Sequence, residues 1–267
     1  MNHLLRPLAP ISDAGWTMLD EEARERLVPA LAARKLVDFS GPHGWDHSAT
    51  SLGRTDGIDT APCTGVSGRR RRVLALVEVR AEFEVSREEL ADADRGAQDA
   101  DLQALDKAAH QLAVAENIAV FHGWPEASMT GIAECSPHPR MSLGDAPDDY
   151  PRPVAGAVER LLHAGISGPY ALALGGEQYQ QVVQGAEHGG YPLLEHLRKI
   201  LEGPIVWAPG VRGAVVLSTR GGDFLFESGQ DISTGYLSHD GATVRLYLEE
   251  TFTFRVATPE AAVTLEA

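Results

Sequence analysis

The chain has 267 residues, 43% of them hydrophobic, and carries 23 Lys plus Arg against 38 Asp plus Glu, a formal net charge of −15. That length supports one large or two modest domains with a sizeable core, and the apolar content excludes disorder throughout. The acidic balance argues against a nucleic-acid partner, whose affinity comes mostly from cations neutralising phosphate, and no apolar run approaches the ~20 residues that cross a bilayer.

In chain order, Ser12 or Asp13 is the expected cap of a first helix. Trp16, Leu19, Ala23, Leu27 and Leu31 recur at helical spacing, with Asp20, Glu21, Arg24 and Glu25 on the other side. Pro29 removes a backbone donor and lies off the apolar stripe, which predicts a kink. Trp45 to Val85 reads as a long hairpin punctuated by Gly53, Gly57, Gly65 and Gly68, with a polar tip from Asp59 to Ser67. Its return arm sets Val73, Ala75, Val77, Val79, Ala81, Phe83 and Val85 on one parity. Such a hairpin has little core of its own and makes physical sense when another subunit supplies the missing partner. Arg69 to Arg72, the one basic cluster, is either a solvated loop tip or an inter-subunit charge contact.

Ser86-Arg-Glu-Glu89 is a capping-box pattern opening a short helix that Gly96 closes. Leu102, Leu105, Ala109, Leu112, Ala115 (or Glu116) and Ala119 trace a longer helix that ends at His122-Gly123, with Pro125 beyond. Helices are expected over Pro151–His163, near Glu177–Val183 and over Leu193–Leu201. Strands are expected at Tyr170–Leu174, Ile205–Trp207 and Val215–Leu217. Gly185 to Gly190 reads as a loop. From Thr243 to Val256, Val244, Leu246, Leu248, Phe252, Phe254 and Val256 share one parity, which predicts a strand with one buried and one wetted face. Glu250 alone breaks that parity, and an edge or a subunit contact would satisfy it.

Gly165-Ile-Ser-Gly-Pro169 places its closing glycine one residue early for a nucleophile elbow, and no phosphate-binding Gly-Lys-Ser/Thr motif occurs. His43-Gly-Trp-Asp46-His47 is the nearest approach to a metal cluster, but it falls at an exposed hairpin base without fixed facing geometry. His188 and His196 read as solvated or structural. Cys63 and Cys135 are too few for a zinc cluster and too distant in sequence for a redox pair. The start Met-Asn-His-Leu-Leu-Arg lacks the character of a secretory signal, so the expected compartment is the cytoplasm, with both thiols reduced.

Several blocks carry a resemblance. Arg220-Gly-Gly-Asp-Phe, Gly229-Gln-Asp-Ile-Ser, Gly235-Tyr236 and Val244-Arg-Leu-Tyr-Leu-Glu-Glu-Thr-Phe-Thr-Phe254 resemble the C-terminal third of encapsulins, the shell proteins of bacterial nanocompartments. Leu8-Ala-Pro10, Ala33-Arg-Lys-Leu-Val-Asp38 and Gly41-Pro-His-Gly-Trp45 continue the likeness near the start. Asp94-Arg-Gly96, Phe121-His-Gly123, Gly168-Pro-Tyr170, His188 with Tyr191-Pro192, and Trp207-Ala-Pro209 follow in family order. The resemblance implies an α+β fold like that of tailed-bacteriophage major capsid proteins. It divides the chain into an inner-face helix (1–40), an extended E loop (41–85) lying across a neighbouring subunit, a P domain (86–135 and 219–267) and an A domain (136–218).

The same resemblance implies a self-assembling icosahedral shell of about 60 copies (T=1) that is not itself an enzyme. It would enclose a cargo, a dye-decolourising peroxidase or a ferritin-like iron oxidase, through that cargo's C-terminal peptide, and serve iron storage or oxidative-stress defence. Carried over position by position, the cargo groove comprises Leu27, Ala30, Leu31, Arg34, Asp38, Asp231 and Ile232. The plainer alternative is that Arg34 and Asp38 pair with each other or cap the helix. The five-fold pore aligns with Glu187, His188, Gly189, Gly190 and Tyr191, and a ring of acidic residues there would favour small cations. Glu88 stands where flavin-binding members carry tryptophan, so neither flavin nor any other cofactor is expected, and no metal. Two alternatives have different partners: a prophage major capsid protein of the same fold, and a free-standing metal-dependent hydrolase using His43, Asp46 and His47.

Overall fold

The computed structural model describes residues 3–60, 62–144, 146–185 and 191–266. The first helix, α1 (Asp13–Ala30), is capped by Ser12, whose Oγ accepts the Gly15 N–H at 2.9 Å. Pro29 falls in the last turn, and Leu31 still donates its N–H to the Leu27 carbonyl at 2.9 Å before the chain leaves the helix. The helix ends at Ala30, one residue past Pro29, which lacks the N–H that would continue the ladder. A short strand, β1 (Asp38–Ser40), follows.

The hairpin proper is β2 (Ala49–Ile58) against β3 (Gly68–Ala75), antiparallel, with its tip between them. The run expected as one return arm breaks at Leu76, and β4 (Val77–Ser86) belongs to a different sheet. Val73 on β3 is 52% exposed, whereas Phe83 and Val85 on β4 are buried, so one alternating run serves two environments. Next come α2 (Arg87–Asp94) and α3 (Gln103–His122). Ser86 Oγ accepts the Glu88 N–H at 3.1 Å, but the Glu89 carboxylate turns to the Asp101 N–H at 2.9 Å. Only one half of the expected capping box forms.

The rest of the chain runs α4 (Ile132–Cys135), β5 (Met141–Ser142), α5 (Pro151–His163), β6 (Tyr170–Leu174), α6 (Gly176–Gln184), α7 (Leu193–Leu201), β7 (Ile205–Trp207) and β8 (Ala214–Ser218). Then follow β9 (Phe224–Ser228), β10 (Ser233–His239), β11 (Thr243–Val256) and β12 (Ala262–Glu266). The strand β11 is the spine of the first sheet, ordered β1-β9-β11-β10 with β4 also on β11. It pairs Thr243–Phe252 with β4, Val244–Glu249 with β10 and Phe252–Val256 with β9. The second sheet is ordered β5-β12-β8-β6-β7. The strand β12, which the sequence division groups with residues 219–267, pairs instead with β8, from Ala262 opposite Leu217 to Leu265 opposite Ala214. All four of its residues from Ala262 to Leu265 are buried, and a strand apolar on both faces must be covered on both.

The wetted face expected of β11 is mostly covered. Tyr247, Glu249, Thr251 and Thr253 are buried, and only the ends at Thr243, Arg245 and Arg255 reach solvent. The N-terminal segment does part of the covering: the Tyr247 hydroxyl donates to the His3 carbonyl at 3.4 Å, and His3 Nε2 lies 3.3 Å from Glu249 Oε1. Gly235 makes room for the Tyr247 ring, which any Cβ at that position would overlap. Two apolar cores result. One joins α1 and α3 to the first sheet through Leu19, Leu27, Leu105, Leu112, Leu246 and Leu248. The other surrounds the second sheet and reaches the first through Phe226 and Phe252, whose rings stack at 4.9 Å. Among the described residues, no helix is long and apolar enough to cross a membrane.

A candidate binding groove built around Arg34

Where α1 passes β10 and β11, their side chains leave a groove of about 440 Å³. Five of the seven expected groove residues line it together: Leu27, Leu31, Arg34, Asp231 and Ile232. Val28, 57% exposed, stands on its rim, and Ala23 and Leu248 are also in its wall. The other two expected residues lie elsewhere. Ala30 is buried beneath the groove, where its carbonyl accepts from Asn117 Nδ2 at 2.9 Å. Asp38 is corrected out of the set: β1 runs parallel to β9 and carries it away from α1. Its Oδ2 there accepts the Gly222 N–H at 2.6 Å, and it lines a separate cleft of about 130 Å³. Arg34 and Asp38 therefore do not pair.

Arg34 is instead the hub of three carboxylates from distant parts of the chain. Its Nε donates to Glu116 Oε2 at 2.7 Å, Nη1 to Asp231 Oδ1 at 2.6 Å and Nη2 to Glu250 Oε2 at 2.6 Å. The planar fork of guanidinium suits three simultaneous acceptors in a way that a lysine ammonium does not. The charge also lies over two rings, 5.1 Å from Phe39 and 5.5 Å from Phe226. Burial alone would lower the Arg34 pKa, but the three carboxylates outweigh it and hold the group above its ordinary value.

Glu116 and Glu250 are fully buried, while the Asp231 side chain is 46% exposed. Burial pushes the Glu116 carboxyl up and the Glu250 carboxyl well up, against the pull of Arg34. One guanidinium faces two buried carboxylates, so burial and their mutual repulsion both oppose ionising Glu250. This answers the parity break at Glu250. Its Oε2 is answered inside the subunit, by Arg34, and not at an edge.

Asn117 fixes the turn that presents Leu31 and Arg34. Its Oδ1 accepts the N–H groups of Ala32 and Ala33, both at 3.1 Å, and its Nδ2 donates to the carbonyls of Ala30 and Pro209. Sequence reasoning missed this role, although Glu116-Asn117 interrupting an otherwise apolar helix face was a visible signal. The far end of the groove is closed by Arg6, which bonds Asp20 at 2.8 and 2.6 Å and the Thr234 carbonyl at 2.8 Å, with its guanidinium 4.5 Å from the Trp16 ring. No pattern in the sequence marked Arg6.

Of the expected pore residues, Glu187, His188, Gly189 and Gly190 lie outside the described residues. Tyr191 is 40% exposed, with the Lys199 ammonium 4.9 Å from its ring. His43 and His47 both turn toward Glu227, at 3.4 and 3.7 Å, and their rings are 4.9 Å apart. The third member of that cluster is thus Glu227 from β9 and not Asp46; among the described residues, no group of three such side chains is disposed to hold a metal ion. Glu88 is exposed in the first turn of α2.

A long spine helix against a sheet, a second sheet beside it and an outstretched hairpin together define the fold of capsid-type shell proteins. A virus-like particle from Pyrococcus furiosus has this fold, with a TM-score of 0.67 at 20% identity over 94% of this chain and 99% of that one. The capsid of a GTA particle shares it, with a TM-score of 0.54 at 16% identity over 89% of this chain and 90% of that one. Within that class the chain belongs to the encapsulin family. The family model described as "Encapsulating protein for peroxidase" matches residues 1–253. The type 1 encapsulin shell protein of Rhodospirillum rubrum is 47% identical over 99% of this chain and 96% of its own. That of Mycobacterium tuberculosis is 41% identical over 99% of each.

Proposed function

We propose that this chain is the tile of a closed, icosahedral protein cage, about 60 copies in its smallest form, that captures a cargo enzyme by a peptide seated in the Arg34 groove. The observation that carries the reading is the groove itself: an aliphatic wall of Leu27, Leu31 and Ile232 beside Arg34 held by its hydrogen bond to Asp231. Aliphatic anchors of an extended or helical peptide would fill the wall, each gaining roughly 1.5–3 kcal/mol on full burial. Asp231, with Oδ1 on Arg34 and half its side chain in solvent, orients the peptide backbone or a cation on it. Chemistry belongs to the cargo, a peroxidase or a ferritin-like iron oxidase, and the shell serves oxidative-stress defence or iron storage through it. Five copies of Glu187 around a pore would admit small cations in preference to anions. The Glu88 carboxylate offers no aromatic face on which a flavin could stack.

Arg34 is a poor place to test the groove, since its loss also exposes the subunit to two buried carboxylates. Ile232 is the cleaner site. Ile232→Asp is expected to leave cages intact and reduce co-purifying cargo at least about tenfold, by loss of an apolar anchor and desolvation of a charge. Cargo loading equal to that of the unaltered chain would refute the groove assignment.

A further inference from the structure

The end of α3, the helix α4 and the strand β12 enclose a polar cleft of about 320 Å³ that shares no residue with the Arg34 groove. Thr264 and Glu266, two apart on β12, share one side of the sheet and both line it. Thr264 is 6% exposed, and its Oγ1 is shielded from solvent without a hydrogen-bond partner. A buried hydroxyl left unpaired is costly, so one in the wall of a cleft points to a partner that enters from outside. The Arg212 backbone N–H donates to His122 Nε2 at 3.0 Å. That bond puts the proton of the neutral ring on Nδ1, where no acceptor among the described residues takes it. Arg212 is exposed, and its guanidinium forms no ion pair among the described residues. Arg140 is differently placed, between Glu266 at 2.7 Å and Glu134 at 3.9 Å, and all three side chains lie about half in solvent. Two arginines and two glutamates cancel, so the cleft is neutral in a chain of net −15. Burial holds the His122 ring below its usual pKa range, and of the charges acting on it the largest is Arg212.

We propose that this cleft binds a small oxyanion of the phosphate class, with the Arg212 guanidinium, Thr264 Oγ1 and His122 Nδ1 as its donors. One guanidinium fork satisfies a planar carboxylate, whereas three donors from three segments suit the oxygens of a tetrahedral ion. A ring held neutral beside a free arginine marks a place where an anion is favoured and a further cation is not. At about 320 Å³ the cleft is at the small end of ligand pockets, with room for inorganic phosphate or for a small phosphate monoester. Glu134 and Glu266 are engaged by Arg140 and screened by solvent, and they disfavour a longer polyanion that would have to lie against them. The site is complete within one subunit, so it stands or falls apart from the cage and its cargo.

The test is equilibrium dialysis of the purified protein against radiolabelled inorganic phosphate and, separately, glycerol 3-phosphate, both at low salt. Saturable binding at a single site per chain is expected. Thr264→Val keeps the shape of the side chain and removes only the hydroxyl. It should weaken binding at least about tenfold while leaving the unfolding midpoint unchanged or raised, because that hydroxyl has no partner to lose. Arg212→Gln should also weaken binding at least about tenfold, and the bond from its backbone to His122 survives the change. Arg152→Gln, which alters an exposed arginine of α5 outside the cleft, should bind as the unaltered chain does. Equal affinity for the two probes assigns the bare ion, and tighter binding of the ester assigns a phosphorylated metabolite; either supports the proposal. The proposal is overturned by the absence of saturable binding at millimolar phosphate, by binding that survives either Thr264→Val or Arg212→Gln, or by an equal loss in Arg152→Gln.

Discussion

At the scale of single residues, the arrangement around Arg34 dictates a pH response. The folded-state pKa of both Glu116 and Glu250 is raised, chiefly by burial. A carboxyl raised on folding contributes stability that is fully present below its unfolded pKa, about 4.5, and is lost as pH rises through the folded one. The subunit should therefore lose stability from about pH 4.5 upward to the raised pKa of Glu250. Glu250→Gln mimics the protonated carboxyl, keeps an acceptor for Arg34 and should flatten that loss; urea unfolding across pH checks it, and an unchanged slope would contradict the raised pKa of Glu250. Arg34→Ala strands two buried carboxyls and should cost about 3–5 kcal/mol in the same measurement, with Arg34→Lys recovering little of it. None of this could be read from the local sequence. Glu250 announces itself by breaking the parity of β11, but the cation that answers it lies 216 positions away.

At the scale of elements, helices with strong punctuation were legible. Pro151 to His163 and Leu193 to Leu201 begin and end as their proline, glycine and periodic leucines dictate. Elements defined by their partners were not. The strands β1, β5, β9 and β12 are short, and nothing local marks which sheet accepts them. The single return arm failed for a related reason, since alternation reports that one face is apolar without saying which neighbour covers it. Groove residues followed the same rule: Leu27, Leu31, Arg34, Asp231 and Ile232 assemble, while Ala30 is buried beneath them and Asp38, only four positions from Arg34, turns away with β1. Packing between elements can be tested at Gly235. Gly235→Ala forces a methyl against the Tyr247 ring where β10 pairs with β11, and should destabilise the subunit by about 1–3 kcal/mol in thermal or urea unfolding. A loss within experimental error would mean that the ring has room to move.

The whole molecule consists of a body built on two sheets and a hairpin whose two strands pair with each other as a separate sheet. The body has two apolar cores bridged by the Phe226–Phe252 stack, and it carries the groove on the side of α1. On the hairpin, Ile58, Val66 and Val73 are exposed in the single subunit, and these are the aliphatics that a closed cage is expected to cover. The central claim is that copies complete one another into a closed cage. Its most direct test is the native mass of the purified particle, by mass photometry or multi-angle light scattering with electron micrographs of the same sample. For a 28.7 kDa chain the account predicts hollow spheres of about 1.7 MDa, or larger if bigger cages form. A single species at the mass of one or two chains, across salt and protein concentration, would contradict it.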